Sequence, residues 1–338
     1  MQSKINSFEI IDSPEWPDYD VKITLKPCFK CNQMCWFCSE YNNNSKVWTR
    51  LQSNYVINKL SELPDRFRKV FIYLYGGEPT LCKEWEYLQY ALIELFHDRS
   101  LYIRTQTNLS LSKPRLTKFL SNINNLKQSK HIINICSSYH VGMQKVSEFI
   151  QKMHICREHE ALGLCFFSTE IVKEKQMLSD FEKLVSEFPE QIKLKFTEIG
   201  DLTTRMDVEG YDHLLEDEYL VGNDNGMSLE FRYWTRRFPE WKNYSETGWN
   251  FNVDGNILNY SEVKAKKINT KFKYMKCFCG TKGAVIDQNL TVYHCNDDCY
   301  NNINGTRIQD VDFKKYFNRP VRCLNNECYD GLDFNKIK

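Results

Sequence analysis

The stretch Val70-Phe71-Ile72-Tyr73-Leu74-Tyr75-Gly76-Gly77-Glu78-Pro79 runs six aliphatic or aromatic residues straight into a turn. A short run of these residue types, bounded by Gly and Pro, predicts a buried β-strand. The two glycines allow close backbone approach at the strand end and leave carbonyls that can accept hydrogen bonds from a ligand ammonium. Glu78 adds an acceptor, and Pro79 directs the exit of the chain. Working outward, residues 21–26, 101–107, 132–137, 161–168 and 191–199 read as further short strands of the same kind. Between them, Trp85, Leu88, Leu92 and Leu95 recur at three- and four-residue steps, as do Val146, Phe149, Ile150 and Met153. That period marks helices. Six strands alternating with helices predict parallel pairing through right-handed crossovers. The expected fold is α/β, a partial (β/α)6 TIM-like barrel over residues 1–200, with its chemistry at the C-terminal strand ends.

After residue 200 the alternation stops, and residues 201–338 read as a smaller, cysteine-rich domain. Asn252-Val253-Asp254-Gly255-Asn256-Ile257 predicts a hairpin on an Asp-Gly turn. A second hairpin is expected over 284–294, turning near Gln288-Asn289. The 338 residues are 42% hydrophobic, enough for a substantial core. Basic and acidic residues number 45 and 44, for a net charge of +1, which argues against duplex nucleic-acid binding by bulk charge. No apolar run approaches the roughly 18 residues of a membrane span. Glu9, Asp12, Glu15, Asp18 and Asp20 leave no room for a secretory signal in the first residues, so a cytoplasmic location is expected.

The fourteen cysteines cluster. In a reducing compartment clustered thiols point to metal or redox chemistry rather than to disulfides. Cys31, Cys35 and Cys38 form C-x3-C-x2-C directly after the first strand. Three thiolates on one loop can hold three corners of an iron–sulfur cube and leave the fourth iron open. Cys28 falls outside that spacing and reads as a bystander, and Cys136 and Cys165 read as small buried hydrophobes.

With Phe37 before the last cysteine, and with Gly76, Gly77, Glu78 and Pro79 ending the second strand, the chain resembles a radical S-adenosylmethionine (SAM) enzyme. The resemblance covers roughly residues 20–200. It implies a [4Fe-4S] cluster that chelates SAM, reductive cleavage to a 5′-deoxyadenosyl radical, and hydrogen abstraction from a substrate. The protein's part is to orient these groups and exclude water. It also implies an electron donor such as flavodoxin or ferredoxin. By the same resemblance Asn108, after Gln106-Thr107, is placed near the cofactor, and Ser138 on the SAM carboxylate or ribose. His140 and Glu198 are candidate pocket residues, each with a plain structural reading beside it.

Cys277-Phe278-Cys279-Gly280 and the hairpin leading to Cys295 resemble the SPASM/twitch extension, although Leu290 stands where that pattern has glycine. The resemblance implies one auxiliary [4Fe-4S] cluster on Cys277, Cys295, Cys323 and Cys328, with Cys279 or Cys299 as substitutes. A structural zinc site uses the same ligands and remains the alternative. For the substrate, a peptide or protein side chain is expected, with a small molecule or nucleotide as the alternative. A non-catalytic zinc module is the reading from another class. With a barrel that starts near residue 20, no fused leader-recognition domain is expected, and a separate recognition protein would serve a peptide substrate instead. The reaction type, oxidoreductase or bond-forming, stays open.

Overall fold

A computed structural model describes residues 5–12, 17–33, 35, 46–168, 173–195, 237–240, 250–259, 263, 268–325, 334 and 336–337. Strand β1 (Ser7–Asp12) precedes β2 (Val21–Leu25), α1 (Arg50–Leu60), β3 (Lys69–Leu74), α2 (Trp85–Leu95) and β4 (Ser100–Thr107). The alternation continues with α3 (Lys113–Leu126), β5 (His131–His140), α4 (Val146–Glu158), β6 (Leu162–Ser168), α5 (Glu174–Glu187) and β7 (Ile192–Lys195). Strands β2 to β7 pair in sequence order and all in parallel, which is the partial (β/α)6 barrel that the alternation predicts.

Side-chain alternation divides each strand between two environments. Val21, Ile23, Leu25, Val70, Ile72, Leu74, Leu101 and Ile103 lie in one apolar core with Val56, Leu60, Leu88, Leu92, Leu116 and Phe119 of the helices. The opposite face carries Lys22, Thr24, Phe71, Tyr73, Tyr102, Arg104 and Gln106. Local chemistry starts the helices where they are needed. Thr49 and Gln52 form a reciprocal capping box at α1 (2.9 and 3.3 Å), and a proline opens α3.

The C-terminal part supplies β8 (Asn250–Val253), β9 (Asn256–Asn259), β10 (Lys276–Cys277), α6 (Cys279–Lys282), β11 (Gly283–Ile286) and β12 (Thr291–Tyr293). It ends with α7 (Asn296–Tyr300), β13 (Thr306–Arg307), α8 (Phe313–Tyr316), β14 (Val321–Arg322) and β15 (Lys336–Ile337). The two halves of the sequence complete each other's sheets. Strand β11 pairs in parallel with β2, so β11, β12 and β13 extend the barrel sheet to nine strands. Strand β1 inserts between β15 and β8 in a separate six-stranded sheet, ordered β14-β10-β15-β1-β8-β9. That sheet has its own core, in which Phe8, Phe251 and Phe272 pack with Cys277, Cys279, Cys295 and Cys323.

Both expected hairpins form. Asp254 and Gly255 turn β8 into β9 at φ +50° and +86°, the left-handed pair that a two-residue loop needs. In the β11–β12 turn, Leu290 itself takes the left-handed conformation, at φ +60°. Asp287 holds that turn by accepting from the backbone of Asn289 and Thr291, each at 2.9 Å.

Candidate active site

The loop after β2 lies directly on the turn after β3. Gly77 N–H donates to the Cys28 carbonyl at 2.9 Å, and Glu78 N–H donates to that of Lys30 at 2.8 Å. Gly76 sits at φ +134°, and a Cβ there would stand 2.5 Å from the Cys28 oxygen. A Cβ on Gly77 would meet the Phe29 and Lys30 carbonyl oxygens at 2.5 and 2.6 Å. Both positions therefore exclude any side chain, and the cysteine loop is moulded against them.

Glu78 is fully buried and does not point a spare acceptor at solvent. One carboxylate oxygen accepts from Thr107 Oγ1 at 2.6 Å, from Thr80 N–H at 3.1 Å and from the Thr80 hydroxyl; the other accepts from Asn108 N–H at 2.7 Å. Burial pushes its carboxyl pKa up, and the bonds from Thr107, Thr80 and Asn108 pull it back. Glu78 thereby ties the end of β3 to the end of β4. Pro79 opens the short 3₁₀ turn Pro79–Leu81, which Glu78 caps.

Asn108 carries this network on to the cysteines. Its side-chain N–H donates to Asn32 Oδ1 at 3.0 Å and lies 3.9 Å from Cys31 Sγ. Gln33 N–H donates to the same sulfur at 3.4 Å, and Cys35 contacts Gln33 Oε1 at 3.9 Å. Cys28 is buried, its thiol pushed up to about 12 by desolvation, and it bonds to the Lys30 carbonyl. Ser138 Oγ accepts from Gln106 Nε2 at 2.7 Å on the neighbouring strand. His140 closes β5 opposite Ser168 of β6. Phe37, Cys38 and Glu198 lie outside the described residues.

In the C-terminal half, Cys279 hydrogen-bonds with both Cys277 and Cys295. Cys277 is pulled below the ordinary thiol range by its bond with Cys279 and by the nearby charge of Lys336. Cys323 is buried in the same apolar cluster, and its N–H donates to the Met275 carbonyl at 2.9 Å. Asp298 is pushed up to about 6 by burial and accepts from Asn325 Nδ2 at 2.7 Å. Cys299 lies one turn after Cys295 on α7, and Cys328 is outside the described residues. Among the described residues, no three His, Cys, Asp or Glu side chains stand ready to enclose a metal ion.

Residues 25–161 match the family model of the radical SAM superfamily. The chain carries a radical SAM domain. Its fold is similar to that of native anSMEcpe with bound AdoMet, with a TM-score of 0.52 and 15% identity, over 88% of this chain and 80% of that one. It is likewise similar to native anSMEcpe with bound AdoMet and Cp18Cys peptide, at TM-score 0.54 and 13% identity, with the same coverage. No curated protein matches the chain. The match over residues 25–161 supports radical SAM catalysis over the reading as a non-catalytic zinc module. The family's cofactors are a [4Fe-4S] cluster and SAM.

The described residues fit that cluster. Cys31 and Cys35 are thiols on one loop at a strand's C-terminal end, and N–H groups of Gln33 and Asn108 already face the Cys31 sulfur. Hydrogen bonds to cluster sulfurs are a principal control of its potential. Sequence reasoning missed the Thr80, Thr107 and Asn108 bonds to Glu78. It also missed Gln144, which donates to the Asn108 carbonyl at 2.9 Å, and Lys152, which donates to that of Leu109 at 2.8 Å. The Thr-Asn at the end of the third predicted strand was the only signal available for any of these.

Proposed function

We propose that this radical SAM enzyme modifies a side chain of a peptide or protein, with electrons from a flavodoxin or ferredoxin in the cytoplasm. The observation that carries the proposal is a second group of buried thiols, Cys277, Cys279 and Cys295, on the sequence that also extends the barrel sheet. The fold neighbour that holds both AdoMet and a peptide supports the substrate class. No helix among the described residues is long and apolar enough to cross a membrane, and the described cysteines are all free thiols.

In this reading residues 1–200 provide the SAM site and residues 201–338 the auxiliary one. Cys31, Cys35 and Cys38 would hold the first cluster, which would supply the electron for SAM cleavage. The backbone at Gly76 and Gly77 receives the SAM ammonium, Phe37 and Ser138 border the cofactor, and Asn108 fixes the cluster loop. Glu78 and Pro79 hold the turn in shape from behind. Cys277, Cys295, Cys323 and Cys328 are the proposed holders of a second [4Fe-4S] cluster, and Cys279, which hydrogen-bonds with both Cys277 and Cys295, is the nearest substitute, beside Cys299. His140 stays the pocket candidate among the described residues.

Counting iron on a protein with Cys31, Cys35 and Cys38 all changed to Ala tests the second cluster. About four irons per chain are expected to remain. Zinc in place of iron, or no metal, would remove the auxiliary cluster from the proposal. Adding Cys328→Ala should then release the iron; full retention would give the fourth position to Cys279 or Cys299. Mass spectrometry of peptides incubated with SAM and dithionite tests the substrate class, with turnover of a small molecule or nucleotide alone as the contrary result.

A further inference from the structure

Lys26 follows β2 directly and is fully buried. Its Nζ stands 4.0 Å from the centre of the Tyr300 ring, 5.4 Å from that of Tyr75 and 5.9 Å from that of Phe29. A lysine ammonium within about 6 Å of an aromatic face is held by the ring quadrupole, the more so out of water. Its backbone N–H donates to the Ile286 carbonyl of β11 at 2.9 Å, and its charge also acts on the Asp287 carboxylate. Two side chains of the following segment reach the same hairpin. Trp48 Nε1 donates to the Asp287 carbonyl at 3.2 Å, and Lys46 Nζ to Asn289 Oδ1 at 2.9 Å.

Tyr300 is the last residue of α7, a helix with Cys295 at its N-cap and Cys299 within it. A helix of five residues has no stability of its own and takes its place from tertiary contacts. Tyr300 remains 42% exposed, so burial alone does not hold its ring. Anchors on one side of α7 stay within the C-terminal half: Asn301 Nδ2 donates to the Asp297 carbonyl and to Asn325 Oδ1, at 2.8 and 2.9 Å. The Lys26 contact crosses to the strand from which the Cys31 loop departs.

We propose that Lys26 is a positioning residue whose ammonium, seated on the Tyr300 ring, holds α7 with Cys295 and Cys299 against the mouth of the barrel beside the Cys31 loop. The two thiol groups then keep a set separation because one buried side chain joins their supports. This does not depend on the substrate being a peptide.

Hydrogen–deuterium exchange on the full-length reconstituted protein tests it. Lys26→Met, which keeps the stem and removes the charge, and Tyr300→Leu should each speed exchange of amides 296–302 about tenfold, with 100–107 unchanged. Lys26→Arg and Tyr300→Phe keep cation and ring and should stay within about twofold of the wild type. The double variant Lys26→Met with Tyr300→Leu should be no faster than either single one, because both remove the same contact. Labelled SAM, followed by equilibrium dialysis, should bind all variants within about twofold of the wild type. Unchanged exchange in Tyr300→Leu, additive effects, or failure of Lys26→Arg to rescue would overturn the proposal. Loss of SAM binding in Lys26→Met alone would overturn it too, by placing Lys26 in the SAM site. If Lys26→Met does not fold, Tyr300→Leu against Tyr300→Phe decides, since that ring is half exposed.

Discussion

At Gly77 one β-carbon decides whether the cysteine loop can lie on the turn after β3, because it would stand within 2.6 Å of two backbone carbonyl oxygens. Backbone cannot swing aside as a flexible side chain can. Gly77→Ala is therefore expected to displace the Cys31 loop, lowering bound iron and reducing 5′-deoxyadenosine formation about tenfold or more. A variant with normal iron and normal SAM cleavage would show that the close approach is dispensable. Glu78 has a different role at the same turn. In Glu78→Gln the amide must point N–H at a donor, either Asn108 N–H or the Thr80 and Thr107 groups. Losing the Asn108 bond in a buried site costs about 1–3 kcal/mol. A lower urea midpoint with an unchanged slope is the expected reading, and an unshifted midpoint would mean the network is not what secures Asn108.

Among elements, the β11–β12 hairpin matters most for joining the halves of the chain. Its turn places Leu290 in a conformation that costs an L-residue roughly 1–2 kcal/mol. The Asp287 carboxylate offsets that strain through the Asn289 and Thr291 amides. Asp287→Ala removes both bonds and is expected to destabilise the protein by about 2 kcal/mol, seen as a lower melting temperature. Local exchange at 287–292 should rise first. A melting temperature within a degree or so of wild type would contradict the role given to Asp287.

At the scale of the whole molecule the barrel core does not end with the barrel's own sequence. Ala284, Ile286, Val292, Ile308, Val311, Phe313 and Phe317 belong to the same apolar cluster as the β2–β7 strands and their helices. A chain cut before residue 276 would expose the edge of β2 and the apolar surface that these residues cover. Exposed, unpaired strand edges of this kind drive association. The truncated protein is expected to aggregate or to lack a cooperative thermal transition. A monodisperse, cooperatively melting product would show instead that the barrel closes its core without the C-terminal residues.

Period and spacing along the chain were enough for the alternating strands and helices, the two hairpins and the cysteine loop at a strand end. All of these depend on interactions among residues a few places apart: side-chain alternation, helical repeats, glycine conformations and thiols close together on one segment. Sheet partnership depends on long-range pairing that no local pattern encodes. The chain's first described strand therefore joins its last, β11 docks on β2, and strands on either side of residue 200, where the alternation stops, share a sheet. The same holds for side chains. Glu78 read as an open acceptor because its partners Thr107 and Asn108 lie a whole βα unit away. Lys26 read as an ordinary strand residue because Tyr300, the ring it rests on, arrives from the other end of the sequence. Local chemistry determined which elements form; only the packing of distant segments decided which of their polar groups are occupied and by whom.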